Sequence, residues 1–347
     1  MLIQGARQQA GSYNDVILLE LCIRPTTALA FSRSEFLRFS LMLETSHLQA
    51  TRLLPFQPPF DWQRMLNFFA ARMTAGVEAV IDGAYMRHIE FKGSLGTLSV
   101  EMAPQGDHLI ATVHGEVSRY VDELIEPISH MFDLYAVPEE IDRRLSSDPW
   151  LASLVQRRPG LRVPGSFSGF ELVVRTIVGQ QVSVKGATTI VGRLVQRAGV
   201  PVPDSPFEQL AWRFPTPDAL ARVDLDKIGM PGKRVETLQR VAAGVASGEI
   251  SLNVSHGDIA ELRRQLLAMP GIGPWTVEYI AMRAWRDPDA WPASDLVLMN
   301  LMTLQDPSLT RLTLHKARAE AWKPWRAYAA MHIWNSAADV TGKAKGG

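Results

Sequence analysis

The stretch Leu267-Ala-Met-Pro-Gly-Ile-Gly-Pro-Trp-Thr276 decides the reading of this chain. Two glycines flanking Ile272 let the backbone turn sharply between two helices. If Thr276 opens the second helix, its unpaired N–H groups face outward at the positive end of the helix dipole. That arrangement is a seat for a phosphate. Its donors are all backbone groups, so it holds nucleic acid without reading base sequence. Taken alone, Pro-Gly-Ile-Gly-Pro is equally well an ordinary helix-to-helix turn. The sequel separates the two readings. Trp275 to Trp285 reads as a helix, and a proline-bounded turn, Trp291-Pro-Ala-Ser-Asp-Leu296, then delivers Asp295 nineteen residues after Thr276.

A hairpin, a helix and an aspartate at this offset resemble the helix-hairpin-helix DNA glycosylases. Phe167-Ser-Gly-Phe-Glu-Leu-Val-Val-Arg-Thr-Ile-Val-Gly-Gln-Gln-Val-Ser183 is similar to the opening helix and Gly-Gln-Gln loop of that superfamily. Ile228-Gly-Met-Pro-Gly-Lys-Arg-Val235 is similar to its internal second turn. Trp322-Lys-Pro-Trp-Arg-Ala-Tyr-Ala-Ala-Met-His-Ile-Trp334 resembles the closing helix of one branch, the inducible bacterial type of 3-methyladenine DNA glycosylase II. The segment Phe56 to Arg72 resembles the start of the small mixed α/β, TBP-like domain of that branch, so the likeness runs from about residue 54 to 340.

Composition agrees once the chain is divided. The 347 residues carry a formal net charge of zero, but residues 1–150 hold 12 Lys and Arg against 19 Asp and Glu, a balance of −7. Residues 151–347 hold 24 against 17, a balance of +7, so the basic charge lies in the half that contains the phosphate seat. A single cysteine, Cys22, excludes a disulfide scaffold and a four-cysteine iron–sulfur cluster. The eight histidines are scattered, and neither a catalytic metal nor a cofactor is expected. No apolar run reaches the ~18 residues of a membrane span.

Met86–Phe91, Gly96–Met102 and Leu109–His114 read as short strands between Gly-rich turns, with helical periodicity over Trp62–Met73 and Val117–Phe132. From Pro149 onward almost every periodic segment is helical. The expected fold is therefore α+β: a mixed α/β domain over residues 51–146, then an all-helical array over 147–340 and a tail over 341–347. Residues 1–50 match neither part and read as a poorly ordered extension. Asp15, Glu20 and Glu35 argue against a transit peptide there, and Met42 is an alternative start.

The resemblance implies base excision: a damaged nucleotide is rotated out of the duplex, its N-glycosidic bond is hydrolysed, and an abasic site is left. Asp295 is the candidate catalytic carboxylate, standing against a sugar of oxocarbenium character or activating water. The plainer role for Asp295 is a helix N-cap worth about 1 kcal/mol. In relatives that also cut the strand, a lysine stands where Trp275 stands here; a tryptophan forms no Schiff base, so a monofunctional enzyme is implied. Trp275, Tyr279 and Trp334, with Phe68 from the N-terminal part, are the expected pocket aromatics. Electron-rich rings attract a base made cationic by alkylation, 3-methyladenine and 7-methylguanine first. Gly271, Gly273 and Thr276 are the expected DNA-backbone contacts, and Lys233, Arg234 or Arg283 further phosphate ligands. Gln181 stands where an apolar wedge fills the gap left by the flipped base. The resemblance also implies a monovalent cation at the carbonyls of Leu267, Met269 and Gly271.

The expected partner is double-stranded DNA with alkylated bases, bound by a monomer in a bacterial cytoplasm at the nucleoid. Two other readings stay open: a helix-hairpin-helix module that tethers a partner to DNA without catalysis, and a glycosylase for oxidised or mismatched bases, which would need more hydrogen-bonding groups than Trp, Tyr and Phe offer.

Overall fold

The computed structural model describes residues 16–19, 29–32, 48–203, 205–252 and 258–343. The expected poorly ordered extension over residues 1–50 lies outside the described residues except for two four-residue strands, β1 (Val16–Leu19) and β2 (Leu29–Ser32), paired antiparallel, and for residues 48–50, the last two of which open the first strand of the sheet that follows. Most of the expected tail, residues 344–347, also lies outside them.

The N-terminal part is a five-stranded antiparallel sheet in the order β3-β7-β6-β5-β4, built from β3 (Gln49–Pro55), β4 (Glu78–Ile81), β5 (Ala84–Phe91), β6 (Ser94–Met102) and β7 (His108–His114). The three expected strands are its centre, where Tyr85, Leu98, Val100, Leu109 and Val113 are buried. β3 and β4 escaped the sequence reading. β3 ends in Leu-Leu-Pro, and β4 is only four residues long with too few alternations to register. Helix α1 (Trp62–Ala70) is capped by Asp61, which accepts from Arg64 N, and ends three residues before the expected Met73. The periodic stretch after the sheet divides into a 3-10 turn at Glu116–Tyr120 and α2 (Val121–Met131), both packed on the sheet.

The helical part follows: α3 (Pro138–Leu145), α4 (Pro149–Arg157), α5 (Gly169–Val178), α6 (Val184–Ala198), α7 (Pro217–Arg222), α8 (Gly232–Ser247), α9 (Ile259–Leu267), α10 (Pro274–Arg283), α11 (Leu296–Gln305), α12 (Leu312–Ala319) and α13 (Arg326–Lys343). One two-residue pairing, β8 (Val200–Pro201) with β9 (Trp212–Arg213), interrupts the array. Their common core includes Val173, Ile177, Leu238, Val277, Ile280, Trp285 and Ile333. Among the described residues no helix is long and apolar enough to cross a membrane.

A buried charge network joins the two parts. Arg87 on β5 pairs with Glu171 on α5 at 2.6 Å, and Arg175, one turn further along α5, lies between Glu171 and Glu78 of β4. Tyr85 donates to the other oxygen of Glu78. Burial works against ionisation of Glu171, but Arg87 and Arg175 bring it down to about 2. Two cations and two anions taken out of water together are tolerable where either alone is not. The network fixes the sheet against α5, and the functional cleft opens beside it.

Candidate active site

The hairpin forms between α9 and α10. Gly271 has φ +90°, and a Cβ there would lie 2.2 Å from Oγ1 of Thr237, so both conformation and space demand glycine. A Cβ on Gly273 would meet no atom of the protein. The second helix starts at Pro274 with Gly273 as its N-cap, two residues before the Thr276 of the sequence reading. Pro274 needs no donor at the first helical position, and its fixed φ suits it. Thr276 is 2% exposed, and its hydroxyl accepts from Gln180 Nε2 at 2.9 Å. The same amide donates to the Gly271 carbonyl at 3.1 Å, and Thr237 donates to the Pro270 carbonyl at 3.1 Å. Gln180, in the loop after α5, and Thr237, on α8, thus brace the turn. Of the three carbonyls proposed for a cation, that of Gly271 receives Gln180 and that of Met269 receives Ile272 N.

Asp295 caps α11, its Oδ1 accepting from Leu298 N at 3.0 Å. The same oxygen accepts from the indole of Trp334 at 3.0 Å, while Oδ2 accepts from the indole of Trp275 at 2.9 Å. No cation among the described residues pairs with it. Capping and presentation to the cleft are therefore one geometry. Carboxylates have about four acceptor sites, and three donors leave capacity for a further contact.

Asp295, Trp275, Tyr279, Trp334 and Phe68 all line one cavity of about 630 Å³ between α1, α5, α10 and α13. Trp275 and Tyr279 are stacked, with centroids 5.3 Å apart and planes 16° apart, and Trp334 meets Tyr279 edge-on at 6.1 Å. A base between two rings needs about 7 Å, twice the van der Waals separation, so the stacked pair offers its outer surface and not a slot. Phe68 is engaged already: the guanidiniums of Arg72 and Arg283 lie 3.9 and 4.7 Å from its ring centroid. Arg283 also lies 5.5 Å from the Tyr279 ring.

Arg283 corrects the sequence reading. It is 7% exposed and donates to the carbonyls of Pro164 and Gly165 at 2.7 and 3.1 Å and to the Tyr279 hydroxyl at 3.1 Å. It is part of the cavity wall, not a surface ligand for phosphate. Arg72 was missed, although its place four residues after Phe68 was a usable signal. Gln181 is exposed at the loop tip with φ +58° and is absent from the cavity wall, which its neighbours Val182 and Val184 form while remaining exposed. Lys233 is exposed and Arg234 half-buried at the start of α8, behind a second tight turn where Gly229 has φ +103°. No cluster of three or more His, Cys, Asp or Glu that could hold a metal occurs among the described residues.

Comparison with known proteins agrees with this architecture. Residues 51–168 match the AlkA N-terminal domain, and residues 174–327 match the HhH-GPD superfamily of base excision DNA repair proteins. The chain is 36% identical over 326 residues to a probable bifunctional transcriptional activator/DNA repair enzyme AlkA of Mycobacterium tuberculosis, covering 93% of this chain and 64% of that relative, so it spans less than two thirds of that protein. It is 35% identical over 287 residues to DNA-3-methyladenine glycosylase 2 of Escherichia coli, covering 81% of this chain and 95% of that one. A solved 3-methyladenine DNA glycosylase from Archaeoglobus fulgidus superposes with a TM-score of 0.70 at 19% identity, over 82% of this chain and 98% of that one.

Proposed function

This chain belongs to the HhH-GPD superfamily of base excision DNA repair proteins, and from that premise we propose that it hydrolyses the N-glycosidic bond of alkylated purines, such as 3-methyladenine and 7-methylguanine, in double-stranded DNA. The observation that carries this reading is the Asp295 carboxylate, which follows the hairpin and its second helix in the chain and is held in the cleft by the indoles of Trp275 and Trp334. A fixed carboxylate stabilises the positive charge that develops on the sugar as the bond lengthens, and it takes the proton of the attacking water. With Trp275 at the head of α10 there is no amine to attack the sugar, so the product is an abasic site with the strand intact.

DNA is held at the hairpin. The open space at the Cβ position of Gly273 means that the fold itself does not require glycine there. A side chain would instead stand in the way of a phosphate approaching the first N–H groups of α10. The base stacks on the outer, Trp275 surface of the Trp275–Tyr279 pair and against Trp334, away from the Tyr279 ring that Arg283 approaches. Exposed Val182 and Val184 follow Gln181 where the gap in the duplex would be filled. The enzyme acts as a monomer.

Incubating the protein with methylated DNA and chromatographing the released bases tests the reading, with Asp295→Asn as the control. The variant is expected to bind DNA and release no base. Release at near wild-type rate by the variant would remove Asp295 from the mechanism, and absence of release by the wild type would leave the tethering module as the better account.

A further inference from the structure

The cleft carries more positive charge than its carboxylates balance. Of its lining arginines, Arg64 pairs with Asp61, and Arg175 lies between Glu78 and Glu171. Asp295, the other carboxylate of the lining, is held by indoles. Arg283 and Arg72 have no carboxylate at ion-pair distance among the described residues; the charged groups that act on Arg283 are Tyr279 and two further cations, Arg72 and Arg175. A buried guanidinium without a counter-ion is costly to the fold. Fixed positive charge of this kind in a water-poor site favours negative charge that appears during a reaction. Three of the five N–H groups of Arg283 are used on Pro164, Gly165 and Tyr279, which leaves two to give.

Resting on the reading above, we propose that Arg283, with Arg72 beside it, stabilises negative charge on the departing base and so sets the release of uncharged bases apart from that of cationic ones. When the C1′–N bond breaks, its electron pair goes to the base. A cationic methylated purine then departs neutral and needs no help. A neutral purine departs as an anion, its charge spread over ring nitrogens and any carbonyl oxygen, and the two guanidiniums are where that charge is stabilised. Water adds to the sugar carbon and gives a proton to Asp295, and the base anion ends by taking up a proton. The products are the neutral base and the abasic sugar. The Tyr279 hydroxyl already reports this field: burial pushes its ionisation up, yet Arg283 and Arg72 outweigh burial and hold it below the usual tyrosine range. The same two charges oppose a cationic base, so the arginines act on the two substrate classes with opposite sign.

The test is single-turnover release from two duplexes, one with a single hypoxanthine as the uncharged probe and one with a single 7-methylguanine, read as the ratio of the two rate constants. Arg283→Gln and Arg72→Gln are expected to lower the hypoxanthine to 7-methylguanine ratio by about 10²-fold, the loss typical for one donor facing a developing anion. Arg283→Lys, which keeps the charge and loses the fork, is expected to retain part of it. Arg72 is half-buried, so its variant answers the question if Arg283→Gln fails to fold. An unchanged ratio in folded Arg72→Gln, or wild-type protein that releases 7-methylguanine and no hypoxanthine, would overturn the proposal. Release of hypoxanthine without 7-methylguanine would sink the alkyl-purine reading and leave this one standing, and release of neither would sink both.

Discussion

Trp334, near the end of the chain, donates its indole N–H to the same Asp295 oxygen that caps α11, at 3.0 Å. The closing helix thereby orients a carboxylate placed on a different helix. Replacing this tryptophan by phenylalanine keeps a ring and removes the donor. Trp334→Phe is expected to slow base release by about tenfold, as a misaligned charged group does. It should lower stability by only about 1 kcal/mol, the worth of one hydrogen bond. A rate equal to wild type would show that the indole N–H does not position Asp295.

The two glycines of the hairpin separate fold from function. Gly271→Ala forces a Cβ against Thr237 at φ +90° and is expected to cost about 1–3 kcal/mol. Gly273→Ala points into open space; its melting temperature should stay close to wild type while affinity for undamaged duplex falls several-fold. Thermal melts and DNA titrations of the pair check this. Equal DNA affinity for Gly273→Ala and wild type would argue against phosphate contact at α10.

Lys233 and Arg234 are tested through salt. Each phosphate neutralised contributes about 0.9 to the slope of log K against log salt concentration. If both touch DNA, the Lys233→Ala/Arg234→Ala double variant should flatten that slope by about two. An unchanged slope would make them solvated residues of the turn.

Asp133 controls a pH dependence. Its carboxylate accepts from Val163 N at 2.9 Å and from the Tyr328 hydroxyl at 3.0 and 3.1 Å. Burial raises its pKa from 3.8 to about 6 against the pull of Val163 N, Arg162 and Tyr328. The native state therefore binds more protons than the unfolded chain in this window. The contribution is fully present below about pH 4 and is lost as pH rises through 6. His332 has the opposite sign: burial, helped by Arg158, lowers it to about 4, so its contribution fades as pH falls from 6.5 towards 4. Comparison with Asp133→Asn isolates the aspartate. Wild type should lose about 2–3 kcal/mol relative to the variant between pH 4 and 6, measured by denaturant unfolding. Parallel stability curves would refute it.

Much of the site was legible because its signals are local. Glycine spacing and the offset to Asp295 identify a hairpin and a carboxylate, and Trp275 and Tyr279, four apart on one helix, had to share a face. What escaped depends on long-range pairing. Gln180 bracing Gly271 and Arg283 approaching Phe68 join segments far apart in the chain, whereas Arg72 lies only four residues from Phe68. β4 became a strand only because β5 pairs with it, and the helix start moved from Thr276 to Pro274 because a proline there gives up no hydrogen bond.

By itself the sequence determined the central strands of the sheet, the helices that follow them and the hairpin with its aspartate, because periodicity, turn chemistry and spacing act between near neighbours; Phe68 and Trp334 entered through resemblance to the family. Tertiary structure alone decided which oxygen of Asp295 each indole holds, that two arginines occupy the ring chosen for stacking, and which charges remain without partners. Those outcomes depend on distances between side chains from different helices, and such distances exist only once the core has packed.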